Sequence, residues 1–225
     1  MSLTTTRTGV LGGTFDPPHN GHVELARSAI EGLSLQQCRI IPAGEPYHRG
    51  PTVESAQTRV QLARLAFQGV PHCIVDDREA RNASPGYTVD TLQALHAEMP
   101  DASLILIIGI DAFLGFPQWH QWIRIFDLAH VAVTQRADTR IDVLHMNPAL
   151  ADEFSARYTE DLSVLSRQPA GRIVRLEMRP MPVSATEVRR LLASHTAADM
   201  ETARSLLPSA VLDYIESNNL YRRPA

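Results

Sequence analysis

Five short stretches of the chain, Val10–Leu11, Arg39–Ile41, Cys73–Val75, Leu104–Ile108 and Val131–Val133, lie within runs of apolar or β-branched residues. Unbroken apolar character over such a length is the mark of a strand covered on both faces. Between the runs, apolar positions recur at helical spacing. Gly21 to Ile30 places Val23, Ala26 and Ile30 on one face, and Glu54 to Gln68 does so with Ala56, Val60, Ala63 and Phe67. Val89 to Glu98 repeats the pattern with Val89, Leu92 and Leu95–His96. Strands alternating with helices of this length predict an α/β fold, a parallel sheet with helices on both sides. The pattern weakens from Ala137 to Gly171, which reads as an insertion containing irregular helix. A last strand is expected over Arg172–Leu176, then helices over Ala185–Ala193, Met200–Leu206 and Ala210–Asn218, the third opened by Pro208–Ser209. One domain over residues 1–225, with a helical portion from 184 onward, accounts for the whole.

Charge and composition narrow what such a domain can do. The formal charge is −4, from 21 basic and 25 acidic residues. This balance, with no basic, aromatic-rich stripe, disfavours a broad electrostatic grip on nucleic acid. The longest apolar stretch is only strand-sized, far short of a membrane span. The first residues, MSLTTTRT, lack the apolar core of a secretory signal, so a cytoplasmic protein is expected. Cys38 and Cys73 sit inside apolar runs without C-x-x-C spacing and read as reduced core residues. An anionic ligand would therefore have to be held by local groups.

The stretch GGTFDPPHNGH, Gly12 to His22, follows the first strand and can supply them. Gly12 and Gly13 let a backbone approach a ligand with no Cβ in the way, while Pro17 and Pro18 stiffen the loop. With Asn20 as N-cap, Gly21 and His22 enter the first helical turn, where free N–H groups favour phosphate. His19 and His22 can then donate toward the same anion. Two histidines can also be half of a metal site, but no third ligand has suitable spacing. A second cluster, PVSATEVRRLL, spans Pro182 to Leu192. Ser184 and Glu187 form a capping box, which explains Ser184, Glu187 and the apolar face but not Arg189. A helix start bearing Ser184, Thr186 and Arg189 is a second candidate anion site.

The first loop, with His19-Asn20-Gly21-His22 as H-x-G-H, resembles the signature of adenylyltransferases of the nucleotidylyltransferase superfamily, and Ser184–Arg189 resembles their S-x-T-x-x-R motif. Three further pieces resemble the nicotinate mononucleotide adenylyltransferases in particular. In EPYHRG, His48 and Arg49 match a P-x-H-[KR] motif. GYTVDTL contains Tyr87 and Thr88, and IIGIDAFLGFPQWHQW contains Gly109, Asp111 and Trp119.

The resemblance implies a Rossmann-like doubly wound parallel sheet and transfer of AMP from ATP to nicotinate mononucleotide, giving deamido-NAD and pyrophosphate. It assigns catalysis to His19, His22 and Arg189. ATP contacts fall to Gly12, Gly13, Thr14, Phe15, His19, His22, Gly109, Asp111, Ser184, Thr186 and Arg189. Substrate contacts fall to His48, Arg49, Tyr87, Thr88, Trp119 and Arg136. It further implies Mg²⁺ bound mainly through ATP, with no protein metal site. Bland roles stand beside these: Thr88 can cap the helix that continues at Val89, and Trp119 can be an apolar anchor, a part that Trp122 fits better. Nicotinamide mononucleotide and phosphopantetheine are alternative acceptors, and a nucleotide-binding module without turnover is the alternative of another class.

Overall fold

Residues Ala102–Ile108 are buried without a break, because their strand lies in the middle of a sheet. The computed structural model describes residues 6–44, 52–82, 86–135, 146–179, 181–194 and 196–222. Six strands, β1 (Thr6–Gly13), β2 (Gln37–Pro42), β3 (Cys73–Val75), β4 (Ala102–Gly109), β5 (His130–Gln135) and β6 (Ile173–Glu177), form one sheet. Their order is β3-β2-β1-β4-β5-β6, the doubly wound arrangement that the alternating pattern predicts. The registers are parallel, with Thr6 opposite Ala102, Ile105 opposite His130 and Val131 opposite Ile173.

The helices are α1 (Asn20–Gly32), α2 (Ala56–Phe67), α3 (Arg78–Arg81), α4 (Thr88–Glu98), α5 (Ile110–Leu114) and α6 (Trp122–Leu128), followed by α7 (Pro148–Arg157), α8 (Val164–Arg167), α9 (Ala185–Ser194), α10 (Ala197–Leu206) and α11 (Ser209–Ser217). The last three supply the expected helical C-terminal portion. α3, α5, α6 and α8 are too short to print a periodic pattern and escape a sequence reading. β1 starts earlier than its apolar core suggests. Its leading residues are polar, and Arg7 is held by its own side chain, through Nε to Ser166 Oγ (2.9 Å) and Nη1 to Leu33 O (2.9 Å). Among the described residues no helix is long and apolar enough to cross a membrane.

The chain divides into two units: Met1–Gly12, Ser28–Arg39 and Tyr87–Arg179 in the first, and Gly13–Arg27, Ile40–Gly86 and Pro180–Ala225 in the second. The first is centred on β4 and β5, with an aromatic group in which the Phe113 ring meets Phe154 edge-on at 6.0 Å. The core of the second includes the buried face of α2, Val60, Leu62, Ala63, Ala66 and Phe67. Phe15 packs edge-on against Phe67 there, with ring centroids 5.9 Å apart.

Candidate active site

The loop that leaves β1 takes its shape from a buried ring. Phe15 adopts a left-handed backbone conformation, φ 52°, which costs a non-glycine residue about 1–3 kcal/mol. Burial of the ring offsets that cost: Phe15 is wholly enclosed, between Phe67 and the edge of His22, whose ring centroid lies 5.0 Å away. The Thr14 carbonyl just before it accepts from Arg59 Nη1 at 2.7 Å. The next residue, Asp16, is buried too. Its carboxylate accepts from Tyr221 Oη (2.8 Å), Val53 N (2.7 Å) and Glu54 N (3.3 Å). The loop is therefore fixed before the chain reaches its histidines.

Those histidines stack. The His19 and His22 rings lie 3.8 Å apart, inclined by 26°. The N–H of His19 donates to His22 Nδ1 at 3.2 Å, so neutral His22 carries its ring proton on Nε2. His19 is buried, and its Nδ1 has no hydrogen-bond partner among the described residues. Burial pushes its pKa down to about 4. At neutral pH His19 is thus a hydrogen-bonding group and not a cation. Gly21 makes the stack possible, since a Cβ there would come within 2.9 Å of Val183 and 3.1 Å of His19 Nδ1.

One local expectation is corrected. His19, not Asn20, occupies the N-cap position, because its carbonyl accepts from Val23 N (3.3 Å) and His22 N (2.9 Å). Asn20 is already helical and donates its amide to Ser205 O at 3.0 Å. The histidine wins that position because its ring is anchored by stacking, while Asn20 has a partner on α10.

The second motif sits in the same unit. Ser184 caps α9, its Oγ accepting from Glu187 N at 3.2 Å. The capping box is only half made, because the Glu187 carboxylate accepts from Arg190 Nε (2.8 Å) and Nη2 (2.7 Å) instead. Arg189 bonds Asp16 O through Nη1 (2.6 Å) and Thr186 Oγ1 through Nη2 (3.3 Å). One unit therefore holds Gly13, Thr14, Phe15, His19, His22, Ser184, Thr186 and Arg189, with Arg189 tied directly to the loop. Gly12, at the end of β1, has open space where a side chain would be.

The other unit holds a second group. Gly109 ends β4 and opens α5, which carries the exposed Asp111 in its first turn. Trp119 does not lie on a helix: it closes a 3-10 turn over Phe116–Gln118 and meets the Phe116 ring edge-on at 5.0 Å. Trp122, the first residue of α6, packs on Phe116 (6.0 Å) and Phe126 (6.3 Å) and is the anchor. The capping role weighed for Thr88 does not hold. Tyr87 occupies the cap position, and Thr88 is the first helical residue. The Tyr87 ring leans on exposed His120, 4.3 Å between centroids. His48, Arg49 and Arg136 lie outside the described residues.

Three residues in this neighbourhood escape a sequence reading: Asp16, Arg59 and Tyr221. Arg59 is 0% exposed and donates to the carbonyls of Thr14, Gly44 and Glu54. Its one visible signal is its position beside Val60 on the buried face of α2.

Comparison with known proteins gives a consistent picture. A family model described as cytidylyltransferase-like matches residues 10–191. A protein of Dechloromonas aromatica (strain RCB) named "Probable nicotinate-nucleotide adenylyltransferase" is 44% identical over 215 residues, 95% of this chain and 97% of its own length. One of the same name from Pseudomonas entomophila (strain L48) is 40% identical over 222 residues, 98% and 97% of the two chains. Among solved structures, Plasmodium falciparum nicotinic acid mononucleotide adenylyltransferase complexed with NaAD has a TM-score of 0.71 at 14% identity, over 96% of this chain and 97% of that one. At that identity the likeness is one of fold.

Proposed function

The chain belongs to the cytidylyltransferase-like family, and we propose that it transfers AMP from ATP to nicotinate mononucleotide, giving deamido-NAD and pyrophosphate. Kinship over nearly the full length with proteins named "Probable nicotinate-nucleotide adenylyltransferase" supports the reaction. The observation that carries the site is the stacked His19–His22 pair in one unit with Arg189, whose guanidinium is bonded to the loop preceding them. Loop and α9 together offer imidazole, hydroxyl and guanidinium donors to phosphate oxygens.

In the proposed step, a 5′-phosphate oxygen of the mononucleotide attacks the α-phosphorus of ATP in line. A new P–O bond forms as the bond to the β-phosphate breaks, and pyrophosphate carries away the electron pair. The nucleophile is already an anion, so no general base and no covalent enzyme intermediate are required. Bringing two anions together makes positioning and charge stabilisation the main tasks. His22 Nε2–H donates toward the α-phosphate. Neutral His19 adds a hydrogen bond but no charge, so Arg189 supplies the positive charge on the protein's side, with Ser184 and Thr186 beside it on the pyrophosphate. Gly12 leaves room for the nucleotide, whereas the space a Gly13 side chain would take is filled by the Phe15 ring, 3.0 Å away. Gly109 and Asp111 are assigned to the ribose on the sequence motif alone.

Mg²⁺ suits this donor set as a passenger on ATP, because the loop's buried carboxylate, Asp16, is already occupied by three donors. Bound through the nucleotide's phosphates, it would neutralise charge that the imidazoles do not. On the acceptor side we assign the nicotinate ring to Trp119 and its carboxylate to main-chain N–H groups at the start of α4, by Tyr87 and Thr88, and near Trp119. His48, Arg49 and Arg136 are assigned to the mononucleotide phosphate on the sequence motifs alone. ATP as co-substrate makes the cytoplasm the proposed compartment.

The decisive experiment measures pyrophosphate release from ATP with nicotinate and nicotinamide mononucleotides side by side. Preference for the acid is expected. Equal rates would overturn the acid selectivity, and no release with either would overturn the reaction.

A further inference from the structure

The last helical turns lead to a tyrosine that the reaction as written does not use. Tyr221 is 5% exposed and sits in a left-handed conformation, φ 59°. Its hydroxyl donates to Asp16 Oδ1 at 2.8 Å and its backbone N–H to Glu54 Oε1 at 3.3 Å. Burial, and then the neighbouring Asp16 carboxylate, hold the phenol far above its ordinary pKa, so it stays a donor. Asp16 thus accepts from the C-terminal end through one oxygen and from Val53 N through the other. Its backbone carbonyl meanwhile receives Arg189 Nη1 at 2.6 Å. Arg59 braces the same loop from behind: Nη1 to Thr14 O (2.7 Å), Nη2 to Gly44 O (2.5 Å) and Nε to Glu54 O (3.2 Å).

Cost is the reason to look for a task here. Burying a carboxylate and a guanidinium is unfavourable unless every donor and acceptor is matched, and an apolar cluster of the same size would be as stable or more so. What the polar network supplies is direction. Each of its bonds to the loop fixes the carbonyl or carboxylate of Thr14 or Asp16, and the Asp16 carbonyl is where Arg189 rests.

We infer that Tyr221 and Arg59 are positioning residues for adenylyl transfer, holding Thr14–Asp16 so that the Arg189 guanidinium is aimed before ATP arrives. Neither touches a substrate in this assignment; both act through Arg189. The inference rests on the adenylyltransferase reading above.

The test is a double-mutant cycle on kcat and KM, read with thermal unfolding. Tyr221→Phe removes one hydroxyl and keeps the ring and the N–H contact. Alone it should lower kcat about tenfold, the scale expected when a catalytic group is slightly misplaced. KM for the mononucleotide should stay within twofold. In an Arg189→Ala background the same change should alter kcat by less than twofold, because the group being aimed is gone. Arg59→Lys, which cannot reach all three carbonyls, is held to the same cycle.

A role in stability alone would lower the unfolding temperature and leave kcat intact in the cold. Unchanged kcat in Tyr221→Phe, or equal losses with and without Arg189, overturns the inference. Failure of both variants to fold, seen by circular dichroism, assigns the network to the scaffold and also overturns it. Wild-type protein that releases no pyrophosphate fails the underlying reading instead, so the two failures are distinct.

Discussion

Around His19 a set of polar contacts holds the loop in advance, whereas around Trp119 aromatic rings meet one another. Thr14 and Asp16 are held by hydrogen bonds from Arg59, Tyr221, Val53, Glu54 and Arg189. Trp119 leans on Phe116, and Tyr87 leans on an exposed histidine. Each construction suits the ligand proposed for it. Charge developing on a phosphate is stabilised by donors that need not reorganise during the step. A flat ring needs area and an apolar face, and an aromatic side chain supplies both with two rotatable bonds. Errors in the first region should therefore appear in kcat, and errors in the second in KM.

The largest expected effect is on the phosphate side. His22→Ala removes the Nε2–H donor while α1 keeps its buried face of Ala26 and Ala29. Turnover should fall about 100- to 1,000-fold, the usual loss for one donor to a developing oxyanion, with the circular dichroism spectrum unchanged. Turnover near the wild-type rate would end the assignment.

His19 offers a second test, in pH. Its folded pKa of about 4 lies below the unfolded value of 6.5. Between those values the unfolded chain takes up a proton that the folded protein refuses, so stability falls as pH drops from about 6.5 to 4. Above 6.5 both states are neutral and the loss vanishes. The full loss is about 3 kcal/mol, from 1.36 kcal/mol per pKa unit. Urea unfolding across this range should show a smaller acid loss in His19→Asn than in wild type. His130, also buried, shifts in the same direction and remains in both proteins. Identical acid loss in the two would show that the phosphate side is not dry in the way its packing indicates.

What could be read in advance divides along the same line. The apolar run of β4 and the shaped loop Gly12–His22 were legible because each compresses one physical demand into adjacent residues: burial on both faces, or a stiff turn from strand to helix. The bracing network was not legible, because its members stand far apart in the chain and look ordinary one by one. Arg59 resembles a surface charge on an amphipathic helix until the fold places three carbonyls around it. Asp16 resembles a turn residue before two prolines, and Tyr221 the end of a last helix. Asn20 misled for the converse reason. Its type suits a cap, but stacking of His19 on His22 and a partner on α10 decided the position.

On the aromatic side, Trp119→Ala should raise KM for the mononucleotide about tenfold, from loss of roughly 1–1.5 kcal/mol of ring stacking. KM for ATP should stay within twofold. A change confined to ATP would place the tryptophan against the wrong ligand, and a large fall in kcat at saturation would erase the contrast between the two regions.

The smallest effect is at Ser184, where a structural and a chemical role share one oxygen. Ser184→Ala removes the cap on Glu187 N and should cost about 1 kcal/mol of stability. It should also raise KM for ATP a few-fold if the same hydroxyl meets the pyrophosphate. Ser184→Asp separates the two roles. Aspartate caps a helix as well as serine does, so the unfolding temperature should return to the wild-type value. Its negative charge opposes a phosphate at the same helix start, so KM for ATP should rise beyond that of the alanine variant. Should the aspartate restore both stability and ATP affinity, Ser184 is a cap alone, and the charge on the pyrophosphate must be met by Thr186, Arg189 and the histidine loop without it.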